Sequence, residues 1–294
     1  MHPDLRNLLL HLRIPFSVLL LPVFLFAAIA AVNFDPLGFV VAFFILHLLV
    51  YPASNGYNSA MDRDEGSIGG LKRPPPVPSS ILPLTISMDI AAVLLSWLWS
   101  PGAAVVLLMY ILASRAYSWR GIRLKKYPVI GFLVVVVFQG AAVFYYSVCM
   151  VDLEAPGLTE LPLQMNMGMV LSSLMIASSY PLTQVYQHRQ DEEDGVMTIS
   201  RLLGIRGTFV FSMVLLIFFT GMLFSYLVLF GRLYDIVLFL FCTAPVTAHF
   251  FRWSREVLED PAAANFENSM KMSWRGAIGT NIFFTWLFVA SQIL

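Results

Sequence analysis

Charge is scarce in this chain. Its 294 residues hold 18 Lys and Arg and 18 Asp and Glu, 12% together, where soluble domains carry about 25%. That shortage excludes an ordinary soluble domain, and a formal net charge of zero argues against a nucleic-acid partner. Cysteine is nearly absent: Cys149 and Cys242 lie in or near apolar runs and read as small core residues. There is no Gly-x-Ser-x-Gly, no phosphate-binding Gly-rich loop before a Lys-Ser/Thr pair, and no Cys/His zinc spacing. Hydrolase, ATPase and zinc-enzyme readings therefore lack support.

Apolar residues fill the space that charge leaves. They make up 58% of the chain, and the mean hydropathy is +0.75. Nine apolar runs, near 14–33, 37–57, 80–99, 102–118, 129–150, 164–186, 208–230, 234–251 and 275–293, each approach the roughly 20 residues that cross a bilayer as a helix. A barrel would need alternation in period two, so the spans are helical. The expected class is an all-α polytopic membrane protein with nine transmembrane helices. The short polar start and the long first apolar run predict no cleavable leader.

Threading nine spans with the N-terminus inside puts every Lys and Arg except Arg232 on the inside. The positive-inside rule then predicts a cytoplasmic N-terminus, an external C-terminus and an inner, bacterial-type membrane. Inside connections are the longer and more charged ones, so function is expected on that face. The breaker-rich stretch from Gly66 to Pro76 must be a loop, and the segment from Arg252 to Met272 is expected to hold an interfacial helix.

Two acidic stretches carry most of the functional signal: Asn58-Ser-Ala-Met-Asp62-Arg-Asp-Glu-Gly66 and Gln187-His-Arg-Gln-Asp191-Glu-Glu-Asp-Gly195. Each follows an apolar run, with an amide four residues before Asp and eight before Gly. An internal repeat and coincidence both account for that match. If the second span continues as a helix through Glu65, then Asn55, Asn58, Asp62 and Glu65 share one face and Asp64 points away. The same wheel on the sixth span aligns Tyr180, Gln184, Gln187, Asp191 and Asp194. Two facing stripes of amides and carboxylates suit Mg2+, which takes one or two carboxylates and shares the rest of its shell with waters and phosphate oxygens. The bland alternative is a pair of solvated helix ends, which fits Asp64, Glu192 and Glu193.

With those residues in view, the chain resembles the UbiA superfamily of intramembrane prenyltransferases. Asn58-x3-Asp62-Arg63 is similar to its first Asp-rich motif, and Gln187-x3-Asp191-x3-Gly195-x2-Thr198 to its second. Tyr117-Ser118 with Arg123-Leu-Lys125-Lys126 resembles the loop between them, and Arg13-Ile-Pro15 resembles the start of its first helix. The resemblance covers nearly the whole chain. It implies one domain over 1–294, a central cavity capped by the motif loops, and Mg2+-dependent transfer of a prenyl group from a prenyl diphosphate to an aromatic or lipid acceptor. It implies Asn58, Asp62, Asp191 and Asp194 as metal ligands, with Asp62, Asp191 and Lys125 catalytic. Asn58, Gln187, Arg13 and Arg123 would bind the donor.

Gly66 stands where the first motif has its third aspartate, with Glu65 as the expected substitute ligand. Gln187 and Tyr180 stand at carboxylate positions of the second. These departures keep open a catalytically silent isoprenoid-binding protein. A transporter is the other alternative, motivated by span count and by Asp89, an ionisable group deep in the third span. Lys72, Arg73 and Lys126 are weaker clamp candidates. His47 and His249 read as satisfied interior histidines, and Gln139, Asn166 and Asn281 as interhelical hydrogen-bond partners.

Overall fold

The computed structural model describes residues 3–63 and 65–293 of the chain. Its helices are α1 (Pro3–Leu12), α2 (Leu21–Ile29), α3 (Pro36–Phe44), α4 (Tyr51–Asp62), α5 (Ile81–Trp99), α6 (Pro101–Ser118), α7 (Pro128–Val136), α8 (Val143–Val151), α9 (Leu163–Ser179), α10 (His188–Glu193), α11 (Ile199–Leu229), α12 (Asp235–Glu259) and α13 (Phe266–Ile293). No strand interrupts them among the described residues.

Proline at a first helical turn recurs, as in α3, α6 and α7, where a missing N–H costs nothing. Asp35 and Ser100 cap α3 and α6 by accepting from Leu37 N and Ala103 N. Two spans are assembled from pieces. A π-helical stretch, Ile45–Val50, joins α3 to α4, and a second, Val137–Ala142, joins α7 to α8. Each wide turn inserts a residue and re-aims the helix that follows.

Seven helical stretches are long and apolar enough to span, and eight if α1 and α2, bent by 43°, count as one. The nine expected spans are thus not all reached by length. The sixth falls short: α9 stops at Ser179 after 17 residues, about 26 Å of helix against roughly 30 Å of hydrocarbon. Pro181 follows, and the chain continues through the 3-10 turns Tyr180–Thr183 and Val185–Gln187 into α10. The expected interfacial helix between Arg252 and Met272 is also absent. There α12 runs on to Glu259, α13 begins at Phe266, and a single 3-10 turn, Pro261–Ala263, joins them.

The main core runs through α2, α8, α9, α11 and α13, around Phe26, Phe144, Tyr226 and Phe284. Small residues set the helix spacing. A Cβ on Gly140 would fall 2.5 Å from the Ser173 Cα, and one on Gly279 would fall 2.4 Å from the Cys242 carbonyl oxygen. At the end opposite the acidic motifs, Asp152 accepts from Val32 N (2.8 Å) and Asn33 N (3.3 Å) and clasps the first and fifth spans.

Candidate functional site

The two acidic stretches, far apart in sequence, end at one cavity of about 340 Å³. From α4 come Asn55, Asn58 and Asp62; from the turns after α9 and from α10 come Tyr180, Gln184, Gln187, Gln190 and Asp191, followed by Asp194 and Thr198. Arg13 enters from the first span, and Tyr117, Ser118 and Lys125 from the end of α6 and the loop after it. Deeper in, Leu19, Leu20, Val134, Val135, Phe138 and Ile176 make the wall apolar. A polar mouth therefore opens onto a greasy interior.

The mouth is tied by ion pairs. Asn58 Nδ2 donates to Asp62 Oδ2 (2.8 Å) and to Ser118 Oγ (3.1 Å), fixing the first-motif carboxylate against α6. Lys125 Nζ forms an ion pair with the buried Asp62 Oδ1 at 2.6 Å. Arg123 pairs with Asp194 and approaches Asp62 at 3.6 Å, so one guanidinium bridges the two motifs. Arg120, which the sequence did not single out, donates to Met61 O (2.8 Å) and lies 3.6 Å from Asp194. Arg13 donates to Asn55 O (2.9 Å) and Gly69 O (3.3 Å), tying the loop from Gly66 to Pro76 over the cavity. Gln187 donates to Ser67 O (3.3 Å) from the other side. Thr198 Oγ1 is 3.5 Å from Asp191 Oδ2. His188 meets Ser200 Oγ at 2.7 Å. Burial first, and Arg201 second, lower its pKa from 6.5, so it anchors α10 as a neutral ring near neutral pH.

The residues that the second-motif wheel groups do meet, but not on one helix. Tyr180, Gln184, Gln187, Asp191 and Asp194 all line the cavity, yet no single helix carries them. The first-motif wheel fails one step past Asp62. There α4 ends, and Arg63 takes the left-handed conformation, φ 53° and ψ 43°, so helical spacing cannot place Glu65 on the Asn58–Asp62 face. Glu65 is exposed and lines an adjoining opening that Asp62 and Asp194 also border. The comparison of Glu65 with Asp64 falls partly outside the described residues, since Asp64 is not among them. Gly66 has a local reason of its own: a Cβ there would sit 2.7 Å from Gln190 Oε1, where the loop closes on α10.

Other expectations divide. Asp89 does not line the cavity. Arg115 donates through Nε to its Oδ2 (2.8 Å) and sits 4.2 Å over the Tyr57 ring, so the pair is a buried brace among α4, α5 and α6. Lys72 pairs at the surface with Glu267, Arg73 is exposed, and Lys126 packs over Tyr127 at 5.0 Å. His249 is satisfied by Asn268 O (3.1 Å), but His47 Nε2 has no partner. Asn281 reaches Val18 O across helices (3.0 Å), whereas Asn166 bonds only carbonyls at its own helix start.

Relatives place this arrangement. The profile of the UbiA prenyltransferase family matches residues 19–274. No curated protein sequence matches the chain. Among solved structures, a UbiA homolog from Archaeoglobus fulgidus bound to DMAPP and Mg2+ is 15% identical with a TM-score of 0.70, over 98% of this chain and 100% of that one. The apo UbiA homolog from Aeropyrum pernix K1 is 14% identical, TM-score 0.70, over 96% and 99%. A digeranylgeranylglyceryl phosphate synthase is 19% identical, TM-score 0.60, over 99% of each chain. At such identities the likeness is one of fold, and the family match over most of the sequence makes the assignment: this chain is an integral membrane protein of the UbiA prenyltransferase family.

Proposed function

We propose that this chain is a Mg2+-dependent intramembrane prenyltransferase acting as one domain, which moves a prenyl group from a prenyl diphosphate to an acceptor. One observation carries the reading. Both acidic motifs, Lys125 and Arg13 surround a single cavity whose inner wall is apolar. Homologues from Archaeoglobus fulgidus bind DMAPP or GPP with Mg2+, which supports the same ligands here.

The residues present fit the metal. They are hard oxygen donors, with the carboxylates of Asp62, Asp191 and Asp194 and the amide of Asn58 lining one cavity. Mg2+ takes one or two carboxylates and completes its shell with phosphate oxygens and water. Asn58, Asp62, Asp191 and Asp194 would hold it. When bound, Mg2+ would offset the charge that builds on the diphosphate as the allylic C–O bond breaks. Lys125, Arg123 and Arg13 add cationic donors for the same oxygens. The Val134, Val135, Phe138 and Ile176 wall excludes water from the carbocation.

A silent isoprenoid-binding protein is the competing reading, motivated by Gln187 and Gly66 at carboxylate positions. Mg2+-dependent diphosphate release from a prenyl donor separates the two: release supports the enzyme, and binding without release supports the silent relative. The transporter reading loses one of its two motives, because Asp89 is engaged by Arg115. Glu65 is left out of the ligand set. Glu65→Gln should change Mg2+-dependent donor binding by less than about twofold, as expected for a solvated carboxylate; a tenfold loss would return Glu65 to the site.

For orientation, we keep the N-terminus and the cavity mouth in the cytoplasm, on the strength of the basic-residue asymmetry. A cysteine introduced at Gly69, beside the Arg13 contact, should react with a membrane-impermeant thiol reagent only after the membrane is opened. Labelling on intact cells would reverse the topology.

A further inference from the structure

The seam between α12 and α13 carries cations that the cavity does not use. The two helices pack side by side and antiparallel, joined by the turn at Pro261–Ala263. Each shows one stripe to the outside. On α13 it is Ile278, Ile282, Trp286 and Val289, all exposed and three or four residues apart. Continued toward the start of the helix, the same stripe runs through Arg275 and Lys271, both exposed. On α12, Phe251 and Leu258 are exposed, and Arg255 lies between them on the same face. Arg252, also exposed, stands about one turn past His249, which meets the Asn268 carbonyl of α13 across the seam. Two bilayer-facing stripes thus end in arginine and lysine.

Helix rise gives their depth. Trp286 Nε1 donates to Asp235 Oδ1 (3.1 Å), which ties the two helices together at the end away from the cavity mouth. Arg252 and Arg255 lie about 26 and 30 Å along α12 from Asp235, close to the roughly 30 Å of the hydrocarbon layer. Lys271 lies about 22 Å and Arg275 about 17 Å along α13 from Trp286. Side chains lean toward the start of their own helix. In an antiparallel pair those of α13 lean toward the mouth, and those of α12 lean back to meet them. Their long stems lie along apolar surface and carry the charges to one level near the headgroups. Met270, beside Lys271, lines the cavity, so this level is on the mouth side.

The cluster is short of counter-charge. The side chains of Arg252, Arg255, Lys271 and Arg275 make no ion pair or hydrogen bond among the described residues. Lys271 and Arg275 lie close enough to the buried His249 for their charges to act on it, and Glu256 is the one carboxylate that does so with them. Glu267, which Lys271 also approaches, is paired with Lys72.

Topology asks for basic residues in the connections near the span ends. It does not ask for them on the outward stripes of two adjoining helices. A cation facing lipid is costly without a polar partner. The partners at this depth are water and phospholipid headgroups. A phosphodiester oxygen accepts charge-assisted hydrogen bonds from arginine and lysine. A choline headgroup would bring a further cation into the cluster, whereas an anionic headgroup brings the missing negative charge.

We infer that the outer seam of α12 and α13 binds the headgroup of an anionic phospholipid in the leaflet on the side of the cavity mouth. Such a site needs only the membrane embedding of the chain, whatever occupies the cavity.

The full chain in a neutral detergent is titrated with phosphatidylglycerol or with phosphatidylcholine of identical acyl chains, and lipid-bound protein is counted by native mass spectrometry. Phosphatidylglycerol should bind at least about tenfold more tightly, since each basic side chain near an anionic surface contributes roughly fivefold. Two double variants test the seam from either side: Lys271→Gln with Arg275→Gln, and Arg252→Gln with Arg255→Gln. Each should cut the preference at least about fivefold. Arg6→Gln with Lys126→Gln removes the same charge elsewhere on the mouth side and should leave the preference within about twofold. Equal binding of the two lipids by the unaltered protein overturns the inference, as does a preference that survives both seam variants. A loss in the Arg6 and Lys126 variant as large as in the seam variants also overturns it, because the lipid would then be answering to overall charge.

Discussion

Asp62→Asn should weaken Mg2+-dependent binding of a prenyl diphosphate by roughly ten- to a hundredfold. The estimate follows from the site. Asp62 is buried in the cavity wall, its Oδ2 is held by Asn58, and its Oδ1 pairs with Lys125. Hydrogen bonds and ligand bonds to a charged group contribute about 1.5–3 kcal/mol, and each 1.4 kcal/mol is about tenfold. Asp191→Asn should act in the same direction from the facing wall. Isothermal titration of each variant with and without Mg2+ measures the loss. The Asp62 variant should also lose some thermal stability, since Lys125 and Arg123 then share one carboxylate fewer, whereas Asp191→Asn spares those pairs. A Mg2+ response unchanged in both variants would remove these residues from the metal site.

The second large effect lies outside the cavity. Arg115→Leu should destabilise the fold by about 3–5 kcal/mol, the cost of leaving one partner of a buried pair uncompensated. Asp89 is buried in α5 and pairs with Arg115 through Oδ2, with Oδ1 already unsatisfied. The double variant Asp89→Leu with Arg115→Leu should recover most of that loss, because apolar replacement of a whole buried pair is often neutral. Denaturant unfolding in detergent would show it. If the double variant is as unstable as the single one, the pair is not acting as a unit, and Asp89 regains a claim to a separate role.

These two sites also show what could be read from sequence and what could not. The membrane class and the meeting of the two acidic motifs at one cavity were legible, because they rest on composition and on motif residues in order. The end of α4 was not. Arg63, Asp64 and Glu65 contain no glycine or proline, and nothing in such a run announces a left-handed cap after Asp62. The break after α9 was announced, by Pro181, which sits where a continuous sixth span would need an interior N–H. The two π-helical stretches left no readable mark: Ile-Leu-His-Leu-Leu-Val and Val-Phe-Gln-Gly-Ala-Ala scan as ordinary helix. Arg120 was hidden among positive-inside residues, where topology explains most basic side chains.

The ion pairs at the cavity mouth have a thermodynamic consequence. Asp62, Asp191 and Asp194 face Arg13, Arg123 and Lys125, with Arg120 at the rim. The unliganded mouth is thus close to neutral, and neither a lone dication nor a lone polyanion improves that balance. Each would have to pull Lys125 or Arg123 from its carboxylate against a field that favours the existing pairs. Arriving together they supply each other's counter-charge, so whatever factor Mg2+ adds to diphosphate affinity, diphosphate adds to Mg2+ affinity. A site of this kind should therefore respond more strongly to magnesium and diphosphate together than to either alone.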